Sequence, residues 1–72
     1  MTKYIVVLKK GSEKHLQSVK KELESKGGKV TSTFDGTVLL GHAVDLPDNE
    51  VSTFEAHPHV DYIEKDGEVH TC

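Results

Sequence analysis

The apolar run near the N-terminus is the feature that most constrains the fold. It reads YIVVL, from Tyr4 to Leu8, and lysines lie close on both sides of it. β-Branched residues favour strands, and a strand with apolar side chains on both faces is typical of the interior of a sheet. The sequence therefore predicts a central β-strand over Tyr4 to Lys9.

An amphipathic helix is predicted to follow. Ser12 can cap its first turn, because a serine hydroxyl accepts a hydrogen bond from a free backbone N–H group. The helix is expected over residues 13–26, and the pair Gly27–Gly28 provides a left-handed stop. Its single apolar stripe recurs at spacings of three and four residues and consists of Leu16, Val19 and Leu23.

The stretch KVTSTF comes next and alternates between the two sides of a strand. Strict alternation places Val30, Ser32 and Phe34 on one side and the threonines with Lys29 on the other. A strand with one such polar side is typical of a sheet edge. The sequence thus predicts an edge-like second strand.

The connection to the third strand begins at Asp35-Gly36, a dipeptide typical of two-residue hairpins. A tight hairpin predicts a third strand that begins near Thr37, and a longer loop before Gly41 is the alternative. The pattern from Gly41 through Leu46 is again β-like.

A short helix and a last strand complete the chain. Pro47, Asp48 and Asn49 supply helix-start chemistry, and Pro58 ends the helix because a residue before proline disfavours the helical conformation. The stretch VDYIE then reads as a strand, so the element order is β-α-β-β-α-β. Right-handed crossovers in this order place both helices on one face of a four-stranded antiparallel sheet. The predicted fold class is therefore α+β, ferredoxin-like.

Composition disfavours several classes of partner. Nine lysines and no arginine stand against twelve acidic residues, which gives a formal charge of -3 at pH 7. This balance disfavours nucleic acid and an anionic membrane surface as partners. No apolar run has the length of a signal peptide or a membrane span. The lone cysteine cannot form an internal disulfide, which favours a reducing compartment, so the cytoplasm is the expected location.

Catalytic and metal-binding chemistry has little support in the sequence. His57 and His59, with His70 and Cys72 further on, are metal-ligand types, yet no Cys-x-x-Cys pair or His-Glu-x-x-His helix organises them. The sequence also lacks a nucleophile elbow and a phosphate-binding glycine loop. It therefore predicts no metal, no cofactor and no enzymatic activity.

The predicted sheet leaves apolar side chains on the face without helices. Tyr4, Val6 and Leu8 form one alternating set of the first strand, and Ile5 and Val7 form the other. Whichever set faces the helices, the other is left on the free face. Scattered apolar groups are common on surfaces, but adjacent ones in the centre of a sheet favour a docking face for another protein.

Three stretches of the sequence carry a family resemblance: KYIVVLK, SKGGKV and HPHVDYIEKDGEVHTC. They are similar to the corresponding stretches of the propeptides of subtilisin-type serine proteases and of the fungal proteinase B inhibitors. The likeness covers nearly the whole chain, although the loop between Asp35 and Leu40 differs in length from that of the propeptides. It implies a single ferredoxin-like domain over residues 1–72 whose free sheet face docks on a subtilisin-like serine protease.

The resemblance also implies roles for individual residues on the sheet and just after it. Ile5, Val7 and Tyr62 become candidates for docking of the sheet face. Glu64 and Asp66 match the acidic pair of the family, which is similar in role to caps on two helix N-termini of the protease.

The C-terminal segment, residues 67–72, is expected to be an extended tail that the target protease holds. The resemblance implies that its last four residues lie along the substrate cleft like the product side of a cleaved substrate: Val69, His70, Thr71 and Cys72. In that arrangement Val69 fills an apolar pocket, and the carboxylate of Cys72 lies near the catalytic serine.

The implied function is inhibition in trans, because no protease domain follows Cys72 in the sequence. The resemblance also implies a capacity to assist the folding of a protease, and the free domain is expected to be a monomer. Two other classes remain open. One is a ligand-sensing regulatory domain of ferredoxin-like type, with KKGSEK as its ligand loop, and the other is a general protein-interaction module with another partner.

Overall fold

The computed structural model describes residues 2–36 and 38–65 of the chain. These residues form strands and helices in the predicted order β-α-β-β-α-β, and each helix is preceded by a short 3-10 turn. The elements are β1 (Thr2–Leu8), α1 (Leu16–Ser25), β2 (Lys29–Asp35), β3 (Leu40–Leu46), α2 (Val51–Glu55) and β4 (Val60–Lys65).

The strands form one antiparallel sheet with the order β2-β3-β1-β4. β1 lies between β3 and β4, which confirms the prediction of a central first strand. β2 lies at an edge, as its polar side predicts. The strand order and the position of both helices on one core are consistent with the ferredoxin-like arrangement, so the predicted fold class is confirmed.

The hydrophobic core lies between the helices and one face of the sheet. Its buried members come from both helices and from β1, β3 and β4: Val6, Leu8, Leu16, Val19, Leu23, Leu40, Val44, Leu46, Phe54 and Val60. The predicted apolar stripe of α1 is therefore the side of the helix that packs on the sheet. Burying a side chain of this size contributes roughly 1.5–3 kcal/mol, so this layer accounts for most of the hydrophobic stabilisation.

Tyr4 belongs to the helix side of β1 and packs against the core. Its hydroxyl donates a hydrogen bond to Asp48 Oδ1 at 2.7 Å, which ties the start of the sheet to the 3-10 turn before α2. This hydrogen bond raises the pKa of Tyr4 and holds the pKa of the Asp48 carboxyl below its usual value. The set Tyr4, Val6 and Leu8 is thus the one that faces the helices.

The start of α1 differs from the prediction. The Ser12 side chain makes no capping hydrogen bond, and residues 13–15 form a 3-10 turn in which the N–H of His15 donates to the carbonyl oxygen of Ser12 at 2.8 Å. The tighter turn satisfies a backbone N–H that the serine hydroxyl was expected to satisfy, so the α-helix itself begins at Leu16. The expected stop is confirmed, because Gly27 has a φ of 88°.

The predicted two-residue hairpin after β2 is wrong. β2 ends at Asp35 and β3 begins at Leu40, so the connection is the longer loop that was the alternative. The loop is closed by a hydrogen bond of 3.0 Å from the N–H of Gly36 to the carbonyl oxygen of Leu39. The Asp-Gly pair indicates a turn, but the length of the loop depends on which backbone groups form the hydrogen bond that closes it. Thr37, where the third strand was expected to begin, lies outside the described residues.

A β-bulge in β2 changes which side chains share a face. The register with β3 shifts after Val30, which pairs with Val44, and the next pair is Ser32 with Ala43. Val30 packs against the core, whereas Ser32 and Phe34 lie on the opposite face, so the predicted grouping of these three residues is wrong. The extra residue at the bulge reverses the alternation for the rest of the strand.

Candidate docking face of the sheet

The second face of the sheet is the candidate functional site. Both helices pack on the other face, where they contribute to one core with β1 and β3. Paired residues of neighbouring strands lie on the same face, so the register identifies what this second face carries. Ile5 lies between Ala43 and Glu64, and Val7 lies between Gly41 and Tyr62. We call the surface formed by the side chains of Ile5, Val7, Phe34, Ala43 and Tyr62 the open face.

The predicted docking residues Ile5, Val7 and Tyr62 are brought together on the open face. Val7, which lies between Gly41 and Tyr62, is only 7% exposed, and Ile5 is half-buried. Tyr62 is 47% exposed and is therefore the accessible aromatic ring beside them. The open face thus combines a largely buried apolar centre on β1 with a more exposed aromatic ring on the edge strand β4.

A shallow cavity extends the open face at the end of the sheet near the β2–β3 loop. It has a volume of about 250 Å³, and Val7, Leu40 and Tyr62 contribute to its lining. Val38 of the loop also lines it and is 98% exposed. A cavity with mixed polar and apolar walls beside an exposed aliphatic side chain can accept a side chain of a partner protein.

Charged residues surround the open face. At one end the register places Asp45 of β3 opposite both Lys3 and Lys29. At the other end Lys10 and Glu13 line the cavity. An apolar centre within a polar rim is the usual arrangement of a protein-binding surface.

Glu64 lies on the same face as Ile5, directly opposite it in the β1–β4 register. The structure therefore places this member of the predicted acidic pair next to the docking residues. Asp66, the other member, lies outside the described residues. The predicted protease-binding tail also lies outside them: Val69, His70, Thr71 and Cys72.

Sequence reasoning missed Phe34, Ala43 and Val38 as part of this surface. Phe34 was placed with Val30, and the bulge that separates the two has no signal in the alternation of β2 itself. Val38 was assigned to the third strand because the loop was expected to be tight. Ala43 could have been found from the alternation of β3, since Val44 beside it belongs to the core and successive side chains of a strand point to opposite faces.

The histidines proposed and dismissed as metal ligands have other contacts. The ring of His59 stacks on that of His15, and His57 contacts Glu22 through a 2.7 Å hydrogen bond. No group of three or more side chains suitable for holding a metal ion is found within residues 2–36 and 38–65. In the same part of the chain, neither helix is long and apolar enough to cross a membrane.

Comparison with known proteins extends the picture to the whole chain. A family model described as peptidase inhibitor I9 matches residues 3–72. An uncharacterized protein of Schizosaccharomyces pombe, C338.12, is 41% identical over 69 residues, which cover 94% of this chain and 88% of that protein. The similarity therefore includes the open face, the acidic pair and the C-terminal segment.

Proposed function

Because the chain belongs to the peptidase inhibitor I9 family, a family of subtilisin-propeptide-like protease inhibitors, we propose that it inhibits a subtilisin-like serine protease in trans. The family is a protease-inhibitor domain and not a catalytic one, which agrees with the expectation that the chain is not an enzyme. The domain has its own hydrophobic core between sheet and helices, which supports action as a separate molecule.

The observation that carries the proposal is the open face. Its apolar centre lies on the middle strands of the sheet, so the surrounding strands hold it in a fixed shape. A rigid surface loses little conformational entropy when a partner covers it. Ile5 and Val7 supply the flat centre of the contact in this proposal, and Tyr62 supplies the aromatic anchor of the kind that dominates binding energy at interfaces.

The C-terminal residues are proposed to occupy the substrate cleft of the protease like a bound product. Main-chain hydrogen bonds to the edges of the cleft hold residues 69–72, and the side chain of Val69 enters an apolar pocket. Cys72 takes the position of the residue before the cleaved bond. The position of β4 supports this arrangement. This strand precedes the tail, and its residues Tyr62 and Glu64 lie on the open face.

Glu64 and Asp66 are proposed to contact two helix N-termini of the protease. Free backbone N–H groups and the helix dipole favour a carboxylate at such a position. The location of Glu64 opposite Ile5 supports this role, because a protease that covers the open face also reaches this carboxylate.

Three further properties form part of the proposal. The free domain is a monomer, and it resides in the cytoplasm, where a lone cysteine stays reduced. The domain also assists folding of the protease. It binds the native protease and not the unfolded one, and such binding stabilises the native state of the protease.

Titration of a purified subtilisin-type protease with the purified domain tests the proposed function. We expect stoichiometric loss of activity toward a small peptide substrate at neutral pH, and no loss with a trypsin-type protease as the control. Equal inhibition of both classes contradicts the proposal. Absence of inhibition would instead favour one of the two other classes, a regulatory domain or a protein-interaction module with another partner.

A further inference from the structure

All four histidines of the described residues lie where α1 contacts the rest of the domain. His15 immediately precedes the helix, and the other three come from β3 and from the segment between α2 and β4: His42, His57 and His59. Each of these three contacts α1 or the residue before it. Histidine rings therefore add to the apolar packing that holds α1 on the sheet.

His42 is fully buried, with 0% exposure, and both of its ring nitrogens have partners. Nε2 lies 2.9 Å from the carbonyl oxygen of Leu16, the first residue of α1, and Nδ1 lies 3.0 Å from Thr33 Oγ1. A carbonyl oxygen only accepts, so Nε2 carries the proton, and the Thr33 hydroxyl donates to Nδ1. The neutral ring is thus fully hydrogen-bonded between α1, β3 and β2.

The rings of His15 and His59 stack almost in parallel. Their centroids are 3.7 Å apart and their planes differ by 8°. Two neutral imidazoles can pack in this way, whereas two protonated rings bring like charges into direct contact. The carbonyl oxygen of His59 also accepts the N–H of Lys9 at 3.0 Å, so this stack connects the start of α1 to the end of β1.

His57 is hydrogen-bonded to the middle of α1 and to the backbone before β4. Its Nδ1 accepts the backbone N–H of His59 at 3.1 Å, so Nε2 carries the proton that is donated to Glu22 Oε2 at 2.7 Å. This hydrogen bond connects α1 to the segment between α2 and β4.

The surroundings of the rings also favour the neutral form at two positions. Burial lowers the pKa of His42 most, and the hydrogen bond to the Leu16 carbonyl opposes it in part. Lys20 lowers this pKa further, and Glu24 has a still smaller raising effect.

The pKa of His59 is also lowered. Loss of solvent contact lowers the pKa of His59 most, and His15, His57 and Lys9 lower it further, whereas Glu22 acts in the opposite sense. The charged and titratable groups around both rings therefore come from α1, from the end of β1 and from the segment before β4.

We propose that His42 and the stacked pair of His15 and His59 form an acid-sensitive clasp that seats α1 on the sheet at neutral pH and loosens when the medium is acidified. The stabilisation is complete above the pKa of an unfolded-state histidine, about 6.5, and declines below it, because the unfolded chain then binds protons that the folded chain resists. For a fully buried ring such as His42 the limit is about a tenfold rise in the unfolding equilibrium constant per pH unit.

The clasp has a consequence for inhibition that rests on the proposed function. A domain with a loosened α1 exposes internal peptide bonds to the protease that it occupies. We therefore expect inhibition to last at neutral pH and to be followed by recovery of protease activity at about pH 5. The clasp itself concerns stability alone and can be tested without any protease.

Urea unfolding of the full chain between pH 7.5 and pH 5 tests the clasp. His42→Gln keeps an N–H donor for the Leu16 carbonyl, and His59→Phe keeps a ring for the stack, but neither replacement titrates in this range. We expect the unfolding constant of the wild type to rise as the pH falls, and the rise to be smaller in both variants. His70→Gln, which removes a histidine outside the clasp, is the control and should follow the wild type.

The imidazole proton resonances of the wild type give a second measurement that needs no variant. We expect the His42 ring in the folded domain to become protonated at a lower pH than a free histidine, because burial lowers its pKa. A His42 resonance that titrates like that of a free histidine contradicts the proposal, as does an unchanged pH dependence in both variants. Failure of the protease titration at neutral pH affects only the proposed function, and failure of the stability measurements affects only the clasp.

Discussion

The two faces of the sheet carry the same kind of apolar side chain, but one face is covered by the helices and the other is open. Along β1, Val6 and Leu8 are buried under the helices, whereas Ile5 and Val7 lie on the open face with similar chemistry. On the covered side, apolar area is removed from water when the chain folds. On the open side, part of that area remains for a partner to remove. A strand that is apolar on both sides therefore divides its hydrophobic free energy between folding and binding.

The largest expected effect is the difference in the free energy of unfolding between a substitution on the covered face and one on the open face. Phe54→Ala removes a buried ring from the core and should lower the free energy of unfolding by about 3–5 kcal/mol. Tyr62→Ala is the matched change on the open face and should cost about 1 kcal/mol or less. Urea unfolding of both variants measures the difference, and similar losses would remove the distinction between the faces.

Deletion of residues 69–72 should weaken inhibition strongly and leave the fold intact. The lost contributions are the main-chain hydrogen bonds to the protease and the burial of Val69, which is worth about 1.5–3 kcal/mol for a valine-sized group. The core that the described residues 2–36 and 38–65 form does not include this segment, so the unfolding curve should not change. Circular dichroism and an inhibition curve decide the matter. A truncated domain that inhibits fully would leave the open face as the whole binding site.

A charge at the centre of the open face should reduce inhibition more than stability. Ile5→Asp places a carboxylate where the protease is proposed to cover the sheet, and an unpaired buried polar group costs about 1–3 kcal/mol. Gln17→Asp adds the same carboxylate to an exposed position of α1 and is the control. The inhibition constants of the two folded variants should differ by about that amount. Equal constants would show that the protease does not cover Ile5.

The smallest expected effect concerns the edge of the open face. Glu64→Ala should weaken inhibition by about 0.5–2 kcal/mol, the usual worth of a carboxylate at a helix N-terminus. Its melting temperature should stay close to that of the wild type. A large drop in melting temperature with unchanged affinity would assign Glu64 to the fold and not to the contact with the protease.

The parts of the fold that depend on local periodicity were predictable from the sequence. The stripe of Leu16, Val19 and Leu23 follows the helical repeat, and the run before Lys9 requires a central strand. The same alternation placed Ile5 and Val7 together on one face without any knowledge of their neighbours. These features need only the residues of one element.

The features that were missed depend on strand pairing and on backbone hydrogen bonds, which the side-chain pattern of one element does not contain. The bulge after Val30 arises from how β2 pairs with β3, and the loop length after Asp35 arises from which backbone groups close the turn. The Ser12 cap was replaced by a 3-10 turn that competes for the same backbone groups. Phe34 therefore moved to the open face for a reason that no single-strand pattern contains.

The bulge in β2 also bears on aggregation. An edge strand with a regular ladder and an apolar face beside it is a template for strands of other molecules, and such contacts grow into fibrils. β2 begins with Lys29, carries threonines and breaks its own regularity after Val30. These features make the edge a poor template. At this edge of the sheet, an apolar surface for a target is thus combined with a strand that disfavours pairing with other molecules.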